Sequence, residues 1–235
     1  MPHDRFYCDS PLEQETLVSL KEAELHHLIV SRARIGQAVE LINGKGKLAQ
    51  ATLTCLDKKQ ALLRINSVSQ DPEESPYIIL AQGLPRMNHL EWIVEKGTEL
   101  GVTAFWLFPG VLSEKSTLSE NQQNRLKHLA LAAMKQCGRL DLPEVVLKPS
   151  LSTWTPLGGC LLYADPSSDA PFLWKWAHPP SSPLILFIGP ESGFDPKEVL
   201  YLEEVLKAQK VRLHPHTLRT ETAAIAGLSL LQTIL

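Results

Sequence analysis

The sequence predicts an α/β protein in which a small N-terminal β-barrel, residues 1–72, precedes a C-terminal α/β domain, residues 73–235. In the N-terminal part, short stretches alternate apolar and polar residues between Asn-Gly and Asp-Lys-Lys turns, as in small β modules. Further along, short apolar runs alternate with segments of helical periodicity, which indicates a mostly parallel sheet with helices. The apolar run at 184–188 is the clearest buried strand of this kind.

The N-terminal elements are three strands and one helix. Strands are predicted at 39–42, 48–54 and 61–65, with an Asn-Gly turn after the first, and a helix at 22–33. Two prolines and three acidic residues between positions 71 and 76 then interrupt the pattern, so the domain boundary is predicted there.

The C-terminal domain continues with strands and helices in alternation. A strand at 77–82 leads through a loop into a helix at 90–100, which Gly101 should end as the residue after the C-cap. A strand follows at 104–108, then an amphipathic helix from about residue 120 to 137 that ends at Gly138, and a short strand at 160–164.

The first informative turn follows the strand at 184–188. Its sequence, GPESGF at 189–194, is followed by Asp195 as N-cap, Pro196 at the first helical position and Glu198 in a capping box. The turn therefore lies at the carboxyl end of a strand, where open α/β sheets bind ligands. Gly189 and Gly193 would allow close backbone approach. An ordinary strand-to-helix turn is the alternative, and the sequence fits neither a dinucleotide fingerprint nor a P-loop.

The second turn, LRTETA at 218–223, precedes a last helix at 222–235 with almost no charge. Thr220 is predicted to cap that helix. Glu221 is predicted to lie at the helix N-terminus, where the positive end of the helix dipole stabilises a carboxylate. A helix this apolar must be buried within the fold or against a partner subunit. It is too short to span a bilayer, which needs about twenty apolar residues.

Four sequences carry a family resemblance: IGPESGF at 188–194, LRTETAA at 218–224, EKGTELGV at 95–102 and QCGR at 136–139. In this order and spacing, over essentially the whole chain, they resemble the ribosomal RNA small subunit methyltransferase E family. Its members are 16S rRNA uridine N3-methyltransferases of the SPOUT class. The resemblance implies a C-terminal domain with a deep trefoil knot, S-adenosyl-L-methionine bound by the knot loops, a homodimer, and an N-terminal PUA-like barrel that helps to bind RNA.

The resemblance also implies a cofactor site. The residues implied in it are Leu161, Gly189, Pro190, Glu191, Gly193, Leu213, His214, Leu218 and Thr220. The chain departs from the family pattern at Ser192 and His214, where glycine is usual, and at Lys135, where glutamate is common. An imidazole at position 214 must point away from the cofactor or alter the pocket.

Methyl transfer to uridine N3 requires loss of the N3 proton, and the resulting charge spreads onto O2 and O4. Arg219 or Arg139 is the candidate for stabilising that charge and orienting the base, and Glu221 or Glu191 for accepting the proton. Both glutamates have an alternative, purely structural role in a loop or at a helix start.

The formal net charge of −3 does not indicate RNA binding by bulk electrostatics, so local charge matters more. Basic residues outnumber acidic ones between positions 26 and 47, although chance clustering on a solvated surface would look the same. The residues predicted to contact 16S rRNA in the small ribosomal subunit are Arg32, Arg34, Lys45, Lys47, Arg86 and Lys115. At position 115 the family has arginine, whose guanidinium can donate two parallel hydrogen bonds to one phosphate. Lys115 keeps the positive charge but cannot form that bidentate contact.

No signal peptide or membrane segment is apparent, so a cytoplasmic location and no membrane partner are expected. The four cysteines are scattered, which argues against a disulfide framework and a zinc site. His214 and His216 alone do not make a metal site. Two other hypotheses stay open: a SPOUT enzyme with a different RNA target, and a noncatalytic RNA-binding protein on the same scaffold.

Overall fold

The computed structural model describes residues 5–70, 77–176 and 183–234, which form two compact units. The first unit contains residues 5–70 together with Leu131–Leu142, and the second contains the other described residues. The predicted domain boundary, between residues 72 and 73, lies outside the described residues and stays a prediction.

The first unit is built on a five-stranded sheet with strand order β1-β3-β4-β5-β2. Register shifts between Gln50 and Ala51 and between Leu53 and Cys55 bend β4, so the sheet curls around its own apolar core. The predicted β module is therefore confirmed, with β1 and β2 as additional short strands. Its elements are β1 (Arg5–Tyr7), β2 (Leu17–Leu20), α1 (Glu22–Val30), β3 (Ala38–Ile42), β4 (Lys47–Leu56) and β5 (Ala61–Gln70).

The segment Leu131–Leu142 is attached to this sheet through the turn that joins β3 and β4. The Gly46 amide donates to the Leu140 carbonyl at 3.1 Å, and the Leu142 amide donates to the Gly44 carbonyl at 2.9 Å. A Cβ on Gly44, whose φ is +68°, would lie 2.9 Å from Cβ of Leu142, so this approach requires glycine.

The second unit is built on a six-stranded, entirely parallel sheet with strand order β11-β9-β10-β6-β7-β8. The α/β class predicted for this part of the chain is confirmed. Two 3₁₀ turns, Leu151–Thr153 and Leu173–Lys175, lie between strands. The other elements are β6 (Ile78–Gly83), α2 (Met87–Glu99), β7 (Ala104–Phe108), α3 (Glu120–Cys137), β8 (Glu144–Leu147), β9 (Cys160–Ala164), β10 (Leu184–Ile188), α4 (Pro196–Glu204), β11 (Gln209–Val211) and α5 (Thr220–Ile234). The residues of α3 from position 131 onward belong to the first unit.

The prediction that Gly101 ends α2 is confirmed. Gly101 has φ +85°, and the Val102 amide donates to the Gly97 carbonyl at 3.0 Å, which closes the helix in a Schellman-type turn. Central strands β6 and β10 are buried along their whole length, and their sequences are apolar apart from Gln82 in β6.

The last helix, α5, packs against α2 and the central strand β10. A Cβ on Gly227 would lie 2.6 Å from Cδ2 of Leu186, so glycine permits this approach. The prediction that Thr220 caps α5 is wrong. Thr220 is the first helical residue, and its hydroxyl donates to the Gly189 carbonyl at 2.6 Å instead. None of the helices in the described residues is long and apolar enough to cross a membrane.

Candidate functional site

A cavity of about 410 Å³ lies in the second unit, where β9, β10 and β11 end. Ligand sites of open parallel sheets are found at this edge, because the loops after the strands meet there. The cavity is lined by Tyr163, Ala164, Asp165, Pro166, Ile188, Gly189, Pro190, Glu191, Ser192, Gly193, Phe194, Val199, Leu213, His214, His216, Thr217, Leu218, Thr220 and Ala223.

The turn after β10 forms one wall of the cavity. The Gly193 amide donates to the Pro190 carbonyl at 2.9 Å, and Gly193 has φ +78°, a conformation that favours glycine. A Cβ on Gly189 would lie 2.9 Å from the Gly193 carbonyl carbon. The turn can therefore fold back on itself only with glycine at position 189.

The side chain of Gln82, at the end of β6, connects this turn to the second one. Its Nε2 donates to the Gly189 carbonyl at 3.1 Å and to the Thr220 hydroxyl at 3.0 Å. Gln82 and Thr220 are both buried. The two turns are thus held together by a buried amide and a buried hydroxyl, which removes much of their freedom before any ligand arrives.

The predicted capping box at the start of α4 is confirmed. Asp195 accepts from the Lys197 amide at 2.8 Å, and Oε2 of Glu198 accepts from the Asp195 amide at 3.0 Å. The second oxygen of Glu198 accepts from the Val111 amide at 3.0 Å. Glu198 therefore joins α4 to the loop that follows β7.

Another part of the wall is the segment after β11, and Arg212 holds this segment in place. The Arg212 guanidinium donates to the carbonyls of His214 at 3.1 Å and Pro215 at 2.6 Å. The His214 ring accepts from the His216 amide at 3.1 Å. His214 lines the cavity, at a position where the family resemblance implied glycine.

Two polar side chains from the end of β9 complete the lining. Oδ1 of Asp165 accepts from the Ser167 amide at 2.7 Å, which fixes the carboxylate at the cavity. The Tyr163 hydroxyl donates to Glu203 at 2.6 Å. Burial, and after it this hydrogen bond, raises the pKa of the Tyr163 phenol, which stays neutral.

Of the residues predicted to bind the cofactor, the structure brings all but Leu161 to this cavity. Leu161 is buried within β9 and is not part of the lining. Ser192, where the resemblance implied glycine, is exposed and lines the cavity.

A cluster of charged side chains lies beside the cavity. Nδ1 of His89 is 2.9 Å from Oε1 of Glu191 and 3.8 Å from Oε2 of Glu221. Glu191 Oε1 also accepts from the Arg86 amide at 2.8 Å. Burial raises the pKa of Glu191, but the hydrogen bonds from Arg86, from its own amide and from His89 lower it overall.

The predicted catalytic residues fall in both units. Arg219 and Glu221 belong to the second unit, and Arg219 is exposed between two cavity residues, Leu218 and Thr220. Arg139 belongs to the first unit, where burial lowers the pKa of its guanidinium against the raising effects of Cys137 and Asp141.

The predicted RNA contacts are mostly exposed. Arg32, Arg34 and Lys45 are exposed and Lys47 is partly exposed, all in the first unit. Lys115 is exposed in the second unit. The guanidinium of Arg86 is already engaged, because its Nε donates to Glu114 at 3.0 Å.

Sequence reasoning missed Gln82, Asp165 and His89. Gln82 is the single polar side chain in the apolar strand β6, which is a signal that the sequence contained. Asp165 directly follows β9, at the edge where ligands bind. His89 lies in the first turn of α2 and carried no signal, since only the fold brings it to residues 191 and 221.

Within the described ranges, no three histidine, cysteine, aspartate or glutamate residues are grouped so that they could hold a metal ion.

The chain is similar to known RNA methyltransferases. The family model described as RNA methyltransferase domain matches residues 72–232, and that described as RNA methyltransferase PUA domain matches residues 20–66. Ribosomal RNA small subunit methyltransferase E from Bacillus subtilis is 28% identical, with 93% of this chain and 90% of that protein covered. The protein of the same name from Synechocystis is 29% identical, with 94% and 74% covered.

The structural comparison gives the same family. A crystal structure of ribosomal RNA small subunit methyltransferase E from Neisseria gonorrhoeae, bound to S-adenosyl methionine, superimposes with a TM-score of 0.89 at 29% identity. That match covers 98% of this chain and 97% of the other. The chain therefore belongs to the ribosomal RNA small subunit methyltransferase E family of RNA methyltransferases.

Proposed function

We propose that the chain is an S-adenosyl-L-methionine-dependent methyltransferase that methylates N3 of a uridine in 16S rRNA of the small ribosomal subunit. The observation that carries this proposal is the cavity formed by the turns at 189–194 and 213–220, in a chain of this family. The Neisseria gonorrhoeae relative, bound to S-adenosyl methionine, supports the cofactor.

The lining suits such a cofactor. At about 410 Å³ the cavity lies within the range of small-molecule sites, about 300–1,000 Å³. Ile188, Leu213 and Leu218 offer apolar surface for an adenine ring. Asp165 and Glu191 add two carboxylates to the wall, which complement the positive charges of a sulfonium and an ammonium group.

The bound cofactor supplies a methyl group on a sulfonium centre. The chain must then orient the uridine, take up its N3 proton and stabilise the charge that spreads onto O2 and O4. Arg219 is exposed at the cavity and suits the stabilising role, with Arg139 as the other candidate.

For the proton, Glu221 is the better supported acceptor. Its Oε2 is buried and accepts no hydrogen bond from any described residue, so a lone pair is available. Glu191 accepts hydrogen bonds from Arg86 and His89 and has a lowered pKa, which makes it the weaker base.

The rest of the proposal concerns the complex with RNA. The exposed basic residues Arg32, Arg34, Lys45 and Lys115, with Lys47, would contact phosphates and position the substrate without reading bases. Arg86 contributes there only if the RNA displaces Glu114.

We further propose that the chain forms a homodimer and that its C-terminal domain contains a trefoil knot. We also propose a cytoplasmic location, where small subunits are assembled.

The first experiment is a calorimetric titration of the purified protein with S-adenosylhomocysteine. We expect saturable binding at one site per chain, despite Ser192 and His214. Methyl transfer should then be measured on small subunits from a strain that lacks the enzyme, with the modified nucleotide located by mass spectrometry.

The outcomes separate the alternatives. Binding with methylation of a uridine at N3 of 16S rRNA supports the proposal, whereas methylation of another RNA or another base atom would make the chain a SPOUT enzyme with a different target. No binding by a correctly folded protein would contradict both enzyme readings and favour a noncatalytic RNA-binding protein.

A further inference from the structure

An exposed aromatic stack lies at the 3₁₀ turn between β9 and β10. The rings of Phe172 and Trp174 are 4.0 Å apart with an interplanar angle of 19°, so they stack face to face. The Arg212 guanidinium is 5.1 Å from the centre of the Phe172 ring, within the range of a cation–π contact. Trp174 itself is 44% exposed, and Phe172 is its one ring contact among the described residues. The indole is therefore accessible to a further ring.

The turn is held by groups other than this indole. The side chain of Leu173 is fully buried and anchors the turn in the fold. The Leu173 amide donates to the Arg212 carbonyl at 2.9 Å, and the Arg212 amide donates to the Pro171 carbonyl at 2.7 Å. An exposed tryptophan on an anchored turn offers a large contact area and loses little conformational entropy when it binds a ligand.

One side chain connects the stack with the cavity. The Arg212 guanidinium that faces Phe172 also donates to the carbonyls of His214 and Pro215. His214 lines the cavity, so these bonds belong to its wall. A ligand that enters the cavity and continues past this wall would therefore meet the aromatic stack.

The charge around the stack suits a polyanion. The two segments next to it, 170–176 and 211–220, contain three basic residues and no aspartate or glutamate: Lys175, Arg212 and Arg219. The side chains of Lys175 and Arg219 are exposed. Asp169, which precedes the first segment, is paired with Lys210. Aromatic rings that stack on bases, with cations that contact phosphates, are the usual means of binding single-stranded RNA.

We propose that Trp174 is a stacking platform for a nucleotide of the RNA substrate that flanks the uridine in the cavity. This inference rests on the proposed function, because it takes the methyl acceptor to be RNA. The base of that nucleotide stacks on the exposed indole, and Lys175 contacts the adjoining phosphate. The platform holds the RNA in place without reading its sequence, since every base has a π face.

The test compares the wild type with Trp174→Ala, which removes the ring, and Trp174→Phe, which keeps an aromatic face. Tyr77→Ala is the matched control. Tyr77 is an aromatic residue of the same 44% exposure, but it lies at the amino end of β6, whereas the cavity lies where strands end. Two probes are used: a labelled, uridine-rich single-stranded RNA for binding, and small subunits from a strain that lacks the enzyme for turnover.

We expect Trp174→Ala to weaken binding of the labelled RNA at least about fivefold, as loss of one base–aromatic stack does elsewhere. The KM for small subunits should rise by a similar factor, while kcat and the affinity for S-adenosylhomocysteine stay near the wild-type values. Trp174→Phe should recover most of the loss, and Tyr77→Ala should match the wild type. Wild-type RNA affinity of Trp174→Ala, or an equal loss in Tyr77→Ala, would overturn the inference.

Sedimentation of the variants tests the alternative that a second copy of the chain covers the indole. Trp174→Ala should sediment as the wild type does, and dissociation into smaller particles would overturn the platform. The turnover data separate this inference from the proposed function. If small subunits are methylated with the same KM by wild type and Trp174→Ala, the platform alone fails. If Trp174 contributes to RNA affinity but no methyl group reaches 16S rRNA, the proposed function alone fails.

Discussion

At the scale of single residues, Arg219 is an exposed side chain next to the cavity. Its neighbours Leu218 and Thr220 line the cavity, while its own side chain is exposed and forms no hydrogen bond or ion pair with any described residue. Fixing an unpartnered arginine next to a binding site costs conformational entropy, and a substrate oxyanion would offset that cost.

Replacing Arg219 with alanine should reduce methyl transfer to small subunits by at least about 100-fold, as does loss of an oxyanion donor in other enzymes. Because the side chain is exposed, the melting temperature should stay within about 1 °C of the wild type. Lys127→Ala, an exposed change on α3, serves as the control. Near-normal turnover of Arg219→Ala would remove this residue from the mechanism.

The family resemblance implied the residues of the turns at 189–194 and 213–220, and the first of these turns also has local signals: glycines after a buried strand, and a capped helix start. The sequence could not predict His89, Gln82 or the role of Thr220. Each of these depends on a partner more than thirty residues away, for example the hydrogen bond between positions 82 and 220. Whether the eight predicted residues that line the cavity bind the cofactor stays a prediction.

At the scale of elements, Glu198 links three of them. Its carboxylate is buried and accepts from the Asp195 amide at the start of α4 and from the Val111 amide after β7, while α4 itself follows the turn at 189–194. A capping box ordinarily stabilises only its own helix. Here the same carboxylate also fixes a neighbouring loop.

We therefore expect Glu198→Ala to destabilise the protein by about 2 kcal/mol, because it leaves two amides without an acceptor. Asp195→Ala, which removes the cap alone, should cost about 1 kcal/mol. Urea unfolding of both variants measures the difference. Equal losses in free energy of unfolding would show that the bond to Val111 contributes nothing.

Long apolar or amphipathic elements were predictable, and short edge elements were not. Strand β10 is five buried apolar residues and α3 has eighteen residues, so their patterns stand out. Strands β1 and β11 have three residues each, too few to show a period of two. These two strands are defined by their hydrogen bonds to neighbouring strands, and no local sequence pattern predicts that pairing.

At the scale of the whole molecule, the first unit combines segments that are far apart in the sequence. Lys135 pairs with Glu24 at 2.7 Å, and both side chains are more than four-fifths buried. Oε2 of Glu24 also accepts from the Tyr7 amide at 3.1 Å. Lys135 therefore has a structural partner, since Glu24 supplies the opposite charge.

Lys135→Glu should destabilise the protein by about 2 kcal/mol, because it replaces a charge-assisted hydrogen bond with repulsion. The double variant Glu24→Lys with Lys135→Glu should recover part of this loss. Thermal unfolding of the two single variants and the double variant gives the coupling energy. Strictly additive effects would mean that the pair does not contribute to stability.

The hydrogen bond from Gln82 to Thr220 spans 138 positions, and it joins a central strand to the helix that completes the cavity wall. During synthesis, β6 and β10 leave the ribosome well before α5, and domains fold as their segments emerge. The cavity cannot close until the residues around Thr220 have emerged as well. A nascent chain therefore cannot form the complete cavity before the residues around Thr220 have left the exit tunnel.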